Sequence, residues 1–162
     1  LWDYTNGTTY FSISHPTAIQ ALAEVSTSGK LVATGGNDGV VRIFSYADGS
    51  LVQTLPTGHT SYIRTVMLYS LDTLMSIAED GKIVVYNLNT NSITYSVTGH
   101  TNYGFSIVKL PDGSVISGGY DSKMKLWNVS NYQLTAVSTI SSSTGSHFFL
   151  APFYSVLRGA SF

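Results

Sequence analysis

Apolar residues along this chain come in short runs, never in long ones. Val40–Phe44, Ile83–Tyr86 and Met124–Trp127 are rich in β-branched and aromatic side chains, which suit a pleated, half-buried surface. Between such runs stand turn signals: Asn6-Gly7, Asp38-Gly39, Asp48-Gly49, Asp80-Gly81 and Asp112-Gly113. These dipeptides favour tight hairpins because they tolerate positive φ at little cost. No stretch sustains apolar residues at helical spacing. In the best-defined unit the pattern predicts strands near Ile63–Leu68, Thr73–Ile77, Ile83–Tyr86 and Ile93–Val97.

The pattern repeats. Gly58-His59-Thr60 recurs as Gly99-His100-Thr101, 41 residues on. The turn residues Asp38, Asp80 and Asp121 are spaced by 42 and 41, and the aromatics Trp2, Phe44, Tyr86 and Trp127 by 42, 42 and 41. Three markers sharing one period predict four copies of one unit of about four strands. A four-stranded antiparallel sheet repeated every ~40–45 residues is the signature of a β-propeller blade. A β-sandwich with coincidental spacing would not place the same residue types at each phase. The expected division is a blade end over 1–14, full blades over about 15–57, 58–98 and 99–139, and a degenerate partial blade over 140–162.

The Gly58-His59, Asp80, Tyr86 series and the Gly99-His100, Asp121, Trp127-Asn128 series resemble the WD repeat, and Trp2-Asp3 is the literal dipeptide. The resemblance covers nearly the whole chain and weakens after about Thr139. It implies an all-β propeller of WD-repeat type, present as a partial ring or as a segment of a larger one. It also implies a hydrogen-bond relay in each blade, from a His before the inner strand to the turn Asp, and through a Ser or Thr to the aromatic. The matching positions are His100, Ser117, Asp121 and Trp127; then His59, Ser76, Asp80 and Tyr86; then His15, Thr34 and Asp38. Phe44 offers no donor, so its relay is expected to stop at Thr34. In the fourth unit Ser141, Arg158 and Phe162 occupy the His, Ser and Asp phases, and the relay is lost.

The 162 residues are 43% hydrophobic and only 10% charged, against about 25% charged in an ordinary soluble domain. Net charge is −1 with no basic stripe, which argues against nucleic acid. No apolar run approaches the roughly 18 residues of a membrane helix. Cysteine is absent, so there are no disulfides or thiolate zinc sites.

His, Ser and Asp in company invite a hydrolase reading. Catalysis needs one such set at one pocket, whereas this set recurs at the blade period, and no G-x-S-x-G elbow occurs. His15, His59, His100 and the out-of-phase His147 are expected to lie too far apart to share a metal ion. No loop carries a calcium-binding pattern. Gly35-Gly36 and Gly118-Gly119 open no helix for a phosphate, and are expected to let the second strand lie close to a neighbouring blade. No catalytic residue, metal or cofactor is therefore assigned.

The resemblance implies that partners dock on the face carrying the loops into the inner strands and the second-to-third-strand turns. Tyr62, Arg64, Tyr103, Asn37, Glu79 and Tyr120 are the candidate partner-binding residues there, since Tyr and Arg anchor interfaces well. The expected function is a non-enzymatic protein–protein interaction scaffold. Its partners would be other proteins or further blades of the same chain, with self-assembly a further option. The alternative is an extracellular structural or adhesive, fibre-forming module. Asn6 in Asn6-Gly7-Thr8 is the candidate glycosylation site, whereas Asn128 in Asn128-Val129-Ser130 is expected to be less accessible behind Trp127. Low charge and abundant Ser and Thr lean towards an extracellular setting over a cytoplasmic one. The two ends read as complementary halves of a blade. Closure of one chain, reciprocal closure of two, or continuation in a longer chain would each use them, and the last is favoured.

Overall fold

The computed structural model describes Thr5 and residues 12–26 and 29–141. The expectations for Trp2, Asn6, His147 and the fourth unit beyond Ser141 lie outside the described residues. Within them are twelve strands in three four-stranded antiparallel sheets and no helix. The first sheet is β1 (Ile19–Ser26), β2 (Leu31–Gly36), β3 (Val41–Ser45) and β4 (Leu51–Thr54). The second is β5 (Ile63–Ser70), β6 (Thr73–Ala78), β7 (Lys82–Asn87) and β8 (Ser92–Thr98). The third is β9 (Gly104–Lys109), β10 (Val115–Gly119), β11 (Lys123–Ser130) and β12 (Gln133–Ser141). Each sheet is a meander whose strands pair in sequence order. The three sheets stack as an arc of propeller blades, not a closed ring.

Burial follows from that stacking. The middle blade has a described neighbour on each face, and all six residues of β6 are buried. A strand covered on both faces reads as a nearly continuous apolar run, which is the sequence Thr-Leu-Met-Ser-Ile-Ala. One apolar core, with Ala33, Val41, Ile63 and Val66, joins the first two blades. A second, with Met75, Ile107, Trp127 and Leu134, joins the second and third.

The tight turns do two jobs. In each blade the Oδ1 of the turn Asp accepts the backbone N–H two residues on, at 3.2 Å from Val40, 3.0 Å from Lys82 and 3.2 Å from Lys123. Such Asx turns cap the hairpin locally. The next residue has positive φ: 74° at Gly39, 75° at Gly81 and 59° at Ser122. Gly39 and Gly81 also sit against the following blade. A Cβ on them would fall 2.8 Å from the His59 carbonyl oxygen and 2.2 Å from that of His100. Gly81 in turn accepts the backbone N–H groups of Gly99 and His100, each at 2.9 Å. The Asp-Gly turn of one blade is thus the seat for the Gly-His of the next.

The paired glycines differ from expectation in part. Gly35 does face the next blade, where a Cβ would meet Ile63 Cγ2 at 2.5 Å. A Cβ on Gly36 or Gly119 would instead run into its own blade's polar cluster, 2.6 Å from Asp38 Oδ1 and 2.5 Å from His100 Nδ1 respectively. Side chains alternate along a strand, so two adjacent glycines cannot clear space on the same side. The same alternation corrects the expectation for Asn128. Trp127 points inward and is buried, which turns Asn128 outward, where it is exposed.

Candidate functional site

Two groups of polar and aromatic residues recur around the arc. The first is internal. In the third blade Trp127 Nε1–H donates to Ser117 Oγ at 2.8 Å. The Ser117 hydroxyl donates to His100 Nε2 at 2.8 Å, and His100 Nδ1–H donates to Asp121 Oδ1 at 2.9 Å. Asp121 Oδ2 accepts the Thr101 backbone N–H at 3.1 Å. The second blade brings together the matching set. His59 lies 2.6 Å from Ser76 Oγ and 3.1 Å from Asp80 Oδ1, and the Thr60 N–H donates to Asp80 Oδ2 at 3.0 Å. The hydroxyls of Ser76 and Tyr86 are 3.4 Å apart.

The first blade departs from the expected relay and requires a correction. His15 Nε2 does meet Thr34 Oγ1 at 3.1 Å, but its Nδ1–H donates to the Thr17 carbonyl at 2.7 Å. Asp38 pairs with Arg42 instead, at 2.7 Å. Two residues explain the change. Pro16 stands where Thr60 and Thr101 stand, and proline has no N–H to give the turn Asp. Arg42 stands opposite Thr34 on β3, where the second blade has Val84 opposite Ser76. The guanidinium reaches the carboxylate that the missing N–H leaves free. Phe44 closes on His15 by ring contact, with centroids 5.9 Å apart.

Electrostatics in the relay favours neutral histidine and charged aspartate. Burial pushes His59 and His100 below the usual imidazole value, against the opposing pull of Asp80 and Asp121. Burial pushes the two carboxyls up. The N–H donors of Thr60, Lys82 and His59 outweigh it at Asp80, and those of His100, Thr101 and Lys123 outweigh it at Asp121, so both end below the usual range. Burial raises the Tyr86 phenol to about 12.

Ser117, His100 and Asp121 have the connectivity of a hydrolytic triad. Ser117 is nevertheless fully buried, its oxygen already accepts from Trp127, and the set occurs twice. A nucleophile needs a substrate within reach, and none can reach this oxygen. The concave inner side of the arc encloses about 650 Å³, and Glu24 and Lys109 are the charged residues that line it. Among the described residues no three His, Cys, Asp or Glu converge on one point.

The second group is on the surface. In each blade the loop before the inner strand is tied to the second-to-third-strand turn by one backbone bond. These run Asn37 N–H to Ala18 O, Glu79 N–H to Tyr62 O and Tyr120 N–H to Tyr103 O, at 3.0, 3.0 and 2.7 Å. That places Asn37, Glu79, Tyr62, Tyr120 and Tyr103 on one rim, and Arg64 joins them through Glu79. Arg64 pairs with Glu79 and donates to Gln20 Oε1 at 3.3 Å. Its guanidinium lies 6.0 Å from the Tyr62 ring and 5.7 Å from the Phe105 ring. Phe105 then meets Tyr120 at 5.9 Å, and Tyr120 meets Tyr103 at 6.0 Å. Tyr62, Tyr103 and Tyr120 are exposed. Along this rim a continuous band of four aromatic rings and one guanidinium crosses from the second blade to the third. Asn37 lies apart from it, in the first blade.

Sequence reasoning missed Gln20 and Phe105. Phe105 follows Arg64 by one period of 41 residues and could have been found by that shift, whereas Gln20 precedes it by 44, the spacing of His15 and His59. It also found no aromatic cluster, because the rings come from two blades and meet only through stacking. Further ties between these blades were unreadable for the same reason. The Thr65 hydroxyl donates to Phe105 O at 2.7 Å, Tyr69 to Gly113 O at 2.9 Å and Tyr95 to Leu134 O at 3.3 Å.

Comparison with known proteins fits this geometry. The family model of the WD domain, G-beta repeat, matches residues 7–45 and 91–128. The WD40 β-propeller domain of Doa1 superposes with a TM-score of 0.72 at 21% identity, over 80% of this chain and 43% of that one. The computationally designed Ika8 protein gives 0.70 at 25% identity, over 86% of this chain and 42% of that one. The chain therefore spans less than half the length of either structure. No curated protein matches the sequence.

Proposed function

We propose, from the premise that this chain is a run of WD-repeat blades, that it is a non-enzymatic interaction scaffold holding protein partners on the Tyr62–Tyr120 rim. Propellers of this family generally mediate protein–protein interaction and are typically not enzymes. The observation that carries the reading here is the band of exposed Tyr62, Tyr120 and Tyr103 with half-buried Arg64 and Phe105 between them. Large aromatic and Arg side chains dominate binding energy at interfaces when a partner excludes water from them. Arg64 is already held by Glu79 and two rings, so it loses little freedom on binding. The partners are other proteins or further blades of a longer chain.

The test is chemical crosslinking and mass spectrometry in the native source, comparing the intact chain with Tyr62→Ala/Tyr103→Ala. Crosslinked partners should disappear from the rim variant and persist in Leu51→Ala/Val52→Ala, which alters exposed residues on an outer strand. An unchanged partner set in the rim variant would refute the site.

One observation favours a second reading, an extracellular and glycosylated module. Asn128, in an Asn-Val-Ser sequon, is exposed. Intact mass of native material decides it: added hexose supports this reading, and a bare polypeptide mass removes it.

A further inference from the structure

The two blade junctions are built alike but with their parts exchanged. Each brings the residue three before a turn Asp, on the second strand of one blade, against the first residue of the next blade's inner strand. At the first junction these are Gly35 and Ile63, and a Cβ on Gly35 would stand 2.5 Å from Ile63 Cγ2 and 3.0 Å from its Cβ. At the second they are Ile77 and Gly104, and a Cβ on Gly104 would stand 2.5 Å from Ile77 Cγ1 and 2.7 Å from its Cδ1. One side chain fills the gap each time, and it comes from opposite sides. The gap admits one isoleucine. Two would overpack it, because close-packed interiors give way only with strain.

The first blade presents the same surface with nothing described against it. Ile19 is in phase with Ile63 and Gly104, and Leu22 is in phase with Val66 and Ile107. Ile63 and Val66 are 0% and 4% exposed, whereas Ile19 and Leu22 are 41% and 65% exposed. Seating a blade there extends an interface the chain already forms twice.

We infer that the open face of β1 is a docking surface for one further WD-type blade, selective for glycine at the position of Gly35. Ile19 supplies the knob, so the arriving second strand must supply the hole. A blade of the Ile77 kind is rejected by this face although it packs well beside Gly104.

Tandem insertion into the full chain tests the selectivity. A copy of residues 14–57, which presents Gly35, is inserted between Ile13 and Ser14. A copy of residues 58–98, which presents Ile77, goes into the same place in a second protein. A third carries that second insert with Ile77→Gly in the copy alone. The chain has no cysteine, so Leu22→Cys in the original first blade gives one thiol whose alkylation rate reports coverage of the face. Docking should slow alkylation roughly tenfold or more with the Gly35 insert and with the Ile77→Gly insert, since local protection scales with the free energy of opening. The unaltered Ile77 insert should leave the rate near that of the parent, and Ile19→Gly in the host should then restore protection. Equal protection by the Gly35 and Ile77 inserts would overturn the selectivity. Protection by none of the inserts would overturn the docking surface itself.

Discussion

Replacing Ser117 by Ala removes a single oxygen, and the structure allows the cost to be worked out. That oxygen accepts from Trp127 Nε1 at 2.8 Å, and its hydrogen goes to His100 Nε2 at 2.8 Å. Trp127 and His100 are both buried, so neither stranded atom can turn to water. A buried polar group left without a partner costs about 1–3 kcal/mol, which puts Ser117→Ala at roughly 2–6 kcal/mol. That is a large fraction of the ~5–15 kcal/mol by which domains are stable. The matching change Ser76→Ala strands His59 Nε2 but takes little from Tyr86, whose hydroxyl is 3.4 Å away. About 1–3 kcal/mol is expected there. Urea unfolding of both variants, with Trp127→Phe and the double variant to complete a cycle, measures the terms. The double variant should cost less than the sum of its parts, because removing the indole N–H removes one of the two stranded groups. A Ser117→Ala cost within about 0.5 kcal/mol of zero, the range of ordinary surface changes, would refute the relay as a stabilising element.

Other outcomes follow from the same geometry. Pro16→Thr with Arg42→Val should restore the N–H to Asp38 and release its carboxylate, so that His15 Nδ1 turns to Asp38; imidazole ¹⁵N shifts would register the new bond, and an unmoved Nδ1 resonance would refute the explanation. Tyr86→Phe should cost under about 1 kcal/mol by urea unfolding, because the lost contact is long and a typical net hydrogen bond contributes about 0.5–1.5 kcal/mol; a cost near that of Ser117→Ala would contradict it. Acid should destabilise the fold in two stages. His59 and His100 have folded values below their unfolded one, so the unfolded chain binds more protons and stability falls as pH drops through the ordinary imidazole value of about 6.5. Asp80 and Asp121 are likewise lowered, so their contribution is full above the ordinary carboxylate value and is lost as pH falls below it. Thermal melts across pH 8 to 3 would show both stages, and a stability rising towards acid would contradict the signs.

The repeat made much of this protein legible before its structure. Period, turn type and strand pattern are local, and they recur. The markers His59, Asp80, His100 and Asp121 therefore located strands whose ends the structure places within one to three residues. The relay partners were readable through the resemblance to the WD repeat, whose His, Ser, Asp and aromatic positions His100, Ser117, Asp121 and Trp127 match. The first blade shows the limit of that reasoning. His15, Thr34 and Asp38 keep the spacing, yet Pro16 withdraws one N–H and Arg42 supplies one charge, and the hydrogen bonds rearrange.

What the sequence by itself determined is thus most of what depends on one blade: four strands, an Asp-centred turn and an inward aromatic, but neither the rearranged bonds of His15 and Asp38 nor the outward turn of Asn128. The rest of what only the tertiary structure decided depends on two blades at once. The Gly35–Ile63 and Ile77–Gly104 exchange, the seat of His100 on Gly81 and the ring band from Tyr62 to Tyr103 each join residues of two successive blades. Hydrogen-bonded pairing fixes geometry inside a sheet. Between sheets only scattered hydrogen bonds cross, side-chain volume and shape set most of the fit, and period cannot reveal which of two facing residues fills the gap.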